Sequence, residues 1–198
     1  MPETGIVLLA AGRGTRFGAS PKLLAALDGR PLVRHAAEAA LATRLRPVVA
    51  VLGAHAASVG AALAGLDLAF AENPDFAAGL STSLRAGLAA LPERCAGAVV
   101  MLGDMPRVAP ALVERLAAAF DGTQAAVVPV AGGRRGNPVL LNRRRLAADL
   151  SRLTGDRGAG PLLAGRTDVL EIPGDPGSRL DIDTPESLAA LQAGRSGS

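Results

Sequence analysis

The chain has 198 residues, which fits one domain and is long enough to bury a sizeable core. Its 49% hydrophobic and 20% charged residues exclude a wholly disordered chain, and its single cysteine excludes an internal disulfide. A net charge of +3 and four phenylalanines, without tyrosine or tryptophan, make a nucleic-acid partner unexpected. The apolar runs are too short to cross a membrane and no secretory signal is predicted, so we expect a cytoplasmic protein without a membrane partner.

Apolar runs and helix-spaced patterns alternate along the chain. Strands are predicted at 5–11, 47–52, 67–71, 96–102, 125–130, 137–141 and 168–172. Helices are predicted at 31–42, 54–64, 82–91, 109–120, 143–150 and 184–192, with the hydroxyls of Ser81 to Ser83 and of Thr184 available as caps. This alternation predicts an α/β fold with a mainly parallel sheet, in which ligands bind at the carboxyl ends of the strands. The tail at 194–198 is expected to fray.

A glycine-rich loop, Gly-Arg-Gly-Thr-Arg-Phe-Gly at 12–18, follows the first predicted strand directly. Its glycines let the backbone N–H groups turn toward one anion. Arg13, Arg16 and Lys22 add positive charge at the same point, and Lys22 is the only lysine among 21 basic residues. A compact ammonium is therefore expected to serve there where a planar guanidinium would not.

Three kinds of nucleotide loop compete for this segment, beside a plain flexible surface loop. A Walker loop would end in Gly-Lys-Ser/Thr, which is absent. A dinucleotide fold would place its third glycine one position earlier and an acidic residue after the second strand, where Leu52, Gly53 and Ala54 stand instead. The pattern Gly-x-Gly-Thr-Arg with a downstream Pro-Lys favours a nucleotidyltransferase loop, suited to a triphosphate and its pyrophosphate leaving group.

Aspartates follow two other predicted elements. Asp104 comes after the strand at 96–102, and Asp181 and Asp183 point to the same side of an extended segment. Asp104 and Asp183 would make a pair of hard oxygen ligands for Mg²⁺, with Asp181 as a further candidate. Alternatively, Asp104 caps a helix and Asp183 only caps the helix at 184–192.

Other polar segments have both a functional and a structural interpretation. The run Gly79 to Ser83 could bind a nucleobase or phosphate, or could be an N-cap only. Loops around Asn137 and Arg157 could line a second substrate, or could be glycine-rich turns. The arginines at 143–145 are expected on a solvated helix face, and Cys95 is expected to be inert.

Six ordered motifs resemble those of the molybdenum cofactor nucleotidyltransferase family, over residues 5–191. They are Leu-Ala-Ala-Gly-x-Gly-Thr-Arg-Phe-Gly at 9–18 with Lys22, Asn-Pro-Asp-Phe at 73–76 with Gly-Leu-Ser-x-Ser-Leu at 79–84, Gly-Asp-Met-Pro at 103–106, Arg-Gly-Asn-Pro-Val-Leu at 135–140, Gly-Asp-Arg-Gly-Ala at 155–159, and Asp-Ile-Asp-Thr-Pro at 181–185. The resemblance implies a Rossmann-like three-layer sandwich of the nucleotide-diphospho-sugar transferase type, mainly parallel with an antiparallel strand, over residues 1–193. Within the family, the Leu-Ala-Ala-Gly start and Asp-Ile-Asp-Thr-Pro end look like the cytidylyltransferase branch.

That resemblance implies CTP and molybdopterin as substrates, Mg²⁺ or Mn²⁺ as the metal, and a client molybdoenzyme of the xanthine dehydrogenase type. The catalytic residues would be Lys22, Arg13 and Asp104. Metal ligands would be Asp104 and Asp183, with Asp181 as a further candidate, and Asn137 and Arg157 would face the pterin. The nucleotide would be held by Ala10, Ala11, Gly12, Gly14, Thr15, Arg16, Gly53, Gly79, Ser81, Ser83 and Gly103. The remaining alternatives are a guanylyltransferase, a sugar-phosphate nucleotidyltransferase, a non-catalytic nucleotide-binding chaperone and an NAD-binding oxidoreductase.

Overall fold

The computed structural model describes residues 2–18 and 20–193, so the expected tail at 194–198 lies outside the described residues. Strands are β1 Thr4–Ala10, β2 Ala26–Leu27, β3 Arg30–Pro31, β4 Val48–Leu52, β5 Ala69–Glu72, β6 Gly97–Leu102, β7 Ala126–Ala131, β8 Arg134–Arg135, β9 Val139–Asn142 and β10 Val169–Pro173. Helices are α1 Leu32–Leu41, α2 Ala56–Ala62, α3 Leu80–Ala90, α4 Pro110–Ala119, α5 Ala147–Arg152, α6 Gly160–Leu163 and α7 Pro185–Ala193. Among these, none of the helices is long and apolar enough to cross a bilayer.

The main sheet has the strand order β10-β7-β9-β6-β1-β4-β5, with the short β8 paired to the end of β7. Strand β1 lies between β4 and β6 and is parallel to both. Strand β9 is antiparallel to its neighbours β6 and β7. The predicted α/β fold, mainly parallel with an antiparallel strand, is therefore confirmed.

Both faces of the sheet are buried, which is why β1 is apolar at every position from Ile6 to Ala10. On one face, Ile6 and Leu8 pack in a core with residues of α1, α2 and α4. On the other, Val7 and Leu9 pack with residues of α3, α5 and α6. The result is three layers, helices–sheet–helices.

A smaller apolar cluster joins the β2–β3 hairpin to the segment before α7. It contains Phe17, Leu27, Leu32, Ile182 and Leu188. Because Ile182 is fully buried there, the residues on either side of it are fixed relative to the glycine loop.

Several local expectations need correction. Helix α3 begins at Leu80 after Gly79, and no side chain caps it, so the predicted capping by Ser81 to Ser83 is wrong. Residues 143–146 form turns, and α5 begins only at Ala147, so the helix predicted at 143–150 starts too early. The cap predicted at Thr184 is confirmed, because the Ser187 backbone N–H donates to Thr184 Oγ1 at 3.2 Å.

Candidate active site

A cavity of about 540 Å³ opens beyond the carboxyl ends of β1 and β6. Because these strands are parallel neighbours, the segment after each one reaches the same edge of the sheet. The glycine loop follows β1, and Asp104 follows β6. The polar or conformationally special residues that line the cavity are Gly12, Arg13, Gly14, Thr15, Lys22, Gly79, Ser83, Asp104, Asp156 and Asp183.

Lys22 bridges two carboxylates that line this cavity. Its Nζ donates to Asp104 Oδ2 at 2.6 Å and to Asp183 Oδ1 at 2.8 Å, and its side chain is only 12% exposed. The stem is anchored because Lys22 opens a 3₁₀ turn whose next residue, Leu23, is buried in the core. Burial lowers the pKa of the Lys22 ammonium, but the charge of Asp104 and the hydrogen bonds to both aspartates outweigh it, so this pKa lies above its usual value.

The two carboxylates come from distant parts of the chain. A backbone hydrogen bond holds together the two segments that carry them. The Ile182 N–H donates to the Asp104 carbonyl oxygen at 3.1 Å. The buried Ile182 side chain then leaves Asp183 facing Lys22. Asp181 is exposed and does not line the cavity, so the geometry assembles Asp104 with Asp183 and leaves Asp181 outside.

The Asp104–Asp183 pair fits a divalent cation. Asp104 Oδ1 is buried and has no hydrogen-bond partner among the described residues. Mg²⁺ prefers a few hard oxygens and keeps waters or takes phosphate oxygens for its other positions. Within the same described part of the chain, no group of three or more His, Cys, Asp or Glu side chains could hold a metal.

The glycine loop lies against the stem of Lys22. Gly14 has φ 61°, and a Cβ there would come within 2.6 Å of Lys22 Cβ, so this position requires glycine for both reasons. Ala11, Gly12, Arg13 and Thr15 line the cavity, whereas Ala10 is fully buried in β1. Arg16 belongs to the 3₁₀ turn Thr15–Phe17.

Arg13 lies over an aromatic ring that lines the same cavity. Its guanidinium carbon lies 5.5 Å from the centroid of Phe76, within the range of a cation–π contact. Phe76 lies in the 3₁₀ turn Phe76–Ala78 and lines the same cavity. Phe76 thus orients the cation of the loop.

The start of α3 forms another part of the lining. Gly79 has φ 109°, and a Cβ on it would meet the Gly155 backbone at 2.3 Å, so the loop at 155–158 rests directly on it. Ser83 lines the cavity and accepts a hydrogen bond from Asn73 Nδ2 at 2.9 Å. Ser81 is fully buried outside the lining, and no partner for its hydroxyl occurs in the part of the chain described.

Two other expected nucleotide ligands are packing glycines in this structure. A Cβ on Gly53 would lie 2.7 Å from the Cβ atoms of Ala11 and Phe76. The Gly103 N–H donates to the Leu9 carbonyl oxygen at 3.0 Å. Gly53 and Gly103 let the segments around the cavity approach each other closely. Neither glycine lines the cavity itself.

A second chamber of about 250 Å³ adjoins the first and shares Leu9, Leu80 and Leu102 with it. Its walls are mainly apolar, and Asn137 and Arg135 are its polar side chains.

Arg157 is exposed and lines neither chamber, whereas its neighbour Asp156 lines the first. Sequence reasoning missed Asp156 and Phe76, since a search for phosphate ligands favours cations, although both lie inside motifs that were identified.

Comparison with known families gives one domain match. The model of the MobA-like NTP transferase domain matches residues 6–170. A relative in Paenarthrobacter nicotinovorans, described as nicotine blue oxidoreductase, is 33% identical, and the match covers 93% of this chain and 94% of that protein. The bifunctional protein GlmU of Kineococcus radiotolerans is 41% identical over 117 residues, which are 58% of this chain but only 24% of GlmU.

Solved structures agree over nearly the whole chain. Rv0371c from Mycobacterium tuberculosis superimposes with a TM-score of 0.84 at 31% identity, covering 96% of this chain and 98% of that one. A nucleotidyl transferase from Methanothermobacter thermautotroptrophicus gives a TM-score of 0.84 at 25% identity, covering 98% and 99%. A manganese complex of Rv0371c gives a TM-score of 0.79 at 32% identity, covering 98% and 99%.

Proposed function

The chain belongs to the MobA-like NTP transferase family and is a nucleotidyltransferase, and from this premise we propose that it transfers a cytidylyl group from CTP to molybdopterin. The products would be molybdopterin cytosine dinucleotide and pyrophosphate. The dinucleotide would pass to a molybdoenzyme of the xanthine dehydrogenase type, in the cytoplasm. The catalytic domain would comprise residues 1–193.

One observation carries the chemical part of the proposal, namely the contact of Lys22 with Asp104 and Asp183 beside the glycine loop. An oxygen of the pterin's terminal phosphate would form a bond to the α-phosphorus of CTP. The bond from that phosphorus to the bridging oxygen would break, and its electron pair would leave on pyrophosphate. This chemistry asks the protein to position two anions and to neutralise charge that grows on the leaving group.

The residues of the first chamber would divide that work. Backbone N–H groups of the glycine loop and Arg13 would hold the triphosphate, and Lys22 would stabilise the charge of the pentacoordinate transition state. Asp104 and Asp183 would hold Mg²⁺ or Mn²⁺, which when bound offsets phosphate charge. Gly79 to Ser83 would contact ribose and base.

The second chamber supports a flat acceptor with few hydroxyl groups. Its lining is mostly Leu, Val, Ala and Gly, which suits a heterocyclic ring better than a sugar that needs many hydrogen-bond partners. Asn137 in that lining would contact polar atoms on the ring edge. Arg157, exposed on the adjoining loop, would reach the acceptor only at the chamber's mouth.

Pyrophosphate release from each of the four NTPs, with Mg²⁺ and with or without a molybdopterin-containing cofactor, tests this proposal. Release with CTP that depends on the pterin is the expected result. Release with GTP instead would favour the guanylyl alternative. Release only with a sugar phosphate would replace the pterin, an outcome in keeping with the similarity to GlmU. Tight CTP binding without any release would favour a non-catalytic chaperone.

A second candidate function, oxidoreduction, rests on the relative described as nicotine blue oxidoreductase, which matches over nearly its full length. The test is a fluorescence titration with NADH and NADPH. It is followed by an assay in which a dye accepts the hydride and the oxidation of NADH or NADPH is measured. Oxidation at a steady rate, together with no pyrophosphate release, would replace nucleotidyl transfer by this activity.

A further inference from the structure

We infer that the ammonium of Lys22 is an internal occupant of the metal site, which a bound triphosphate must draw away before a divalent cation can bind tightly. In the nucleotide-free enzyme Lys22 would keep Asp104 and Asp183 paired. In the complex it would contact phosphate oxygens and no longer occupy the two carboxylates. This inference rests on the proposed function for the metal-dependent transfer, and it adds an order to the binding of the ligands.

The contacts of Lys22 are those a metal would have to replace. Its Nζ lies 2.6 Å from Asp104 Oδ2 and 2.8 Å from Asp183 Oδ1, so one ammonium uses an oxygen of each carboxylate. A cation coordinated by both residues would need to approach the same pair of side chains at the shorter distances of metal–oxygen bonds. The ammonium and the metal therefore compete for one position.

Charge acts in the same direction as geometry. The positive charge of the Lys22 ammonium offsets part of the negative charge of the two carboxylates, which weakens their attraction for a divalent cation. The side chains of Lys22 and Asp104 are partly shielded from water, at 12% and 19% exposed, whereas that of Asp183 is 44% exposed. Once Lys22 has left, its charge no longer opposes the attraction of the carboxylates for the metal.

The triphosphate has a direct means of moving Lys22. A Cβ on Gly14 would come within 2.6 Å of Lys22 Cβ, so the loop that would bind phosphates contacts the lysine stem. A triphosphate in that loop would place several charged oxygens beside the ammonium. The loop's other cation, Arg13, is likewise held by the protein, over the ring of Phe76. Nucleotide binding would therefore redirect two cations at once.

This arrangement predicts that metal and nucleotide bind with positive cooperativity, and that Lys22 is its source. The coupling is reciprocal, so metal must strengthen nucleotide binding by the factor by which nucleotide strengthens metal binding. Removing the ammonium should tighten metal binding in the free enzyme and reduce the coupling.

Mn²⁺ titration followed by electron paramagnetic resonance tests this directly, because free and bound Mn²⁺ give different signals. We would titrate the full chain, Lys22→Met and Lys22→Arg, each with and without an α,β-methylene analogue of CTP. We expect the analogue to tighten Mn²⁺ binding by the wild type at least ~10-fold, a coupling of about 1.4 kcal/mol. Without nucleotide, Lys22→Met should bind Mn²⁺ at least ~10-fold more tightly than the wild type, and Lys22→Arg, which keeps the charge, should not.

Two controls make the result specific. The double variant Lys22→Met with Asp104→Asn should lose the gain, since one of the two ligands is gone. Mn²⁺ should also raise the melting temperature of Lys22→Met more than that of the wild type, because a ligand that binds only the folded state stabilises it by mass action. This second readout also reports whether the variant is folded.

Mn²⁺ binding by nucleotide-free Lys22→Met that is equal to or weaker than that of the wild type would overturn the inference. The metal would then bind without displacing Lys22, for example through Asp104 Oδ1 alone. If CTP proves not to be the substrate, the nucleotide-free comparison of the same variants still decides whether Lys22 occupies the metal site. Its failure is thereby distinguishable from a failure of the proposed function.

Discussion

At the scale of single residues, the only lysine in the sequence stands where its compact cation contacts two carboxylates. A guanidinium is a planar fork that suits bidentate pairing with one carboxylate, whereas an ammonium can direct its three N–H groups to separate acceptors. The presence of a lysine after the glycine loop was visible in the sequence. Its partners were not, because they lie 82 and 161 residues away along the chain.

Replacement of Lys22 by alanine should lower the rate of nucleotidyl transfer by roughly 10²–10³-fold, by analogy with the loss of one preorganised donor. The measurement is pyrophosphate release at saturating nucleotide and metal. Lys22→Arg is the matched control, and it should recover part of the rate because the charge is kept. Near-normal turnover by Lys22→Ala would contradict the catalytic role.

The raised pKa of Lys22 also predicts how this group contributes to stability as pH changes. A pKa that is higher in the folded than in the unfolded protein stabilises the fold fully below the unfolded value, here 10.5, and less as pH rises through the folded value. The difference in the free energy of unfolding between the wild type and Lys22→Met should therefore stay constant from neutral pH to about pH 9. Urea denaturation of both proteins at several pH values measures this difference. A difference that shrinks between neutral pH and about pH 9 would contradict a raised pKa of Lys22 in the folded protein.

At the scale of elements, an arginine expected on a solvated helix face instead completes the end of α3. The Arg143 guanidinium donates to the carbonyl oxygens of Leu88, Leu91, Pro92 and Cys95, at 2.7–3.2 Å. The carbonyls at a helix end have no partner within the helix, and a cation there also interacts favourably with the helix dipole. Three consecutive arginines do not show from sequence which one turns inward.

Replacement of Arg143 by alanine should lower the free energy of unfolding by about 2–3 kcal/mol, because several partly buried carbonyls lose a charged donor. Arg144→Ala is the control, since Arg144 is an exposed neighbour in the same turn. That change should cost less than about 0.5 kcal/mol. Urea denaturation of both variants gives the comparison, and equal costs would show that the carbonyl contacts of Arg143 contribute nothing specific.

The close approach of α3 to the loop at 155–158 can be tested with two glycines. Gly79 and Gly155 both have a positive φ, but only a Cβ on Gly79 would collide with the opposite backbone. Gly79→Ala should therefore destabilise the fold by about 2 kcal/mol more than Gly155→Ala, which has only the backbone strain. It should also weaken nucleotide binding, because Asp156 and Ser83 would be displaced. Equal effects on urea denaturation and on CTP titration would contradict this account.

The elements that sequence reasoning found are those with strong local patterns. Buried runs such as β1 and β6 and the proline-started α4 lie within a few residues of their predicted bounds, because burial on both faces leaves only apolar residues. The hairpin of β2 and β3 was missed although Asp28 and Gly29 both have positive φ and Asp-Gly is a hairpin signal. Strand order could not be predicted, since nothing local distinguishes β9 as the antiparallel strand.

At the scale of the whole molecule, the lone thiol reports on the integrity of the core. Cys95 is 1% exposed in the cluster under α3, and burial raises the pKa of its thiol. The native protein should therefore resist a thiol-reactive disulfide reagent, and labelling should follow unfolding in urea. The measurement is the labelling rate against urea concentration, with the unfolded protein as the reference. Rapid, complete labelling without urea would contradict the buried position.

The boundary between β1 and the glycine loop has a consequence for how this scaffold can change over generations. All seven residues of β1 are buried, whereas Gly12, Arg13, Thr15 and Gly18 are exposed. A substitution in the strand alters the core and lowers the free energy of unfolding. Most exposed positions accept a substitution with little change in that free energy. A lineage could therefore vary how strongly the loop binds a triphosphate by point mutation there, while its inherited framework stays folded and selectable.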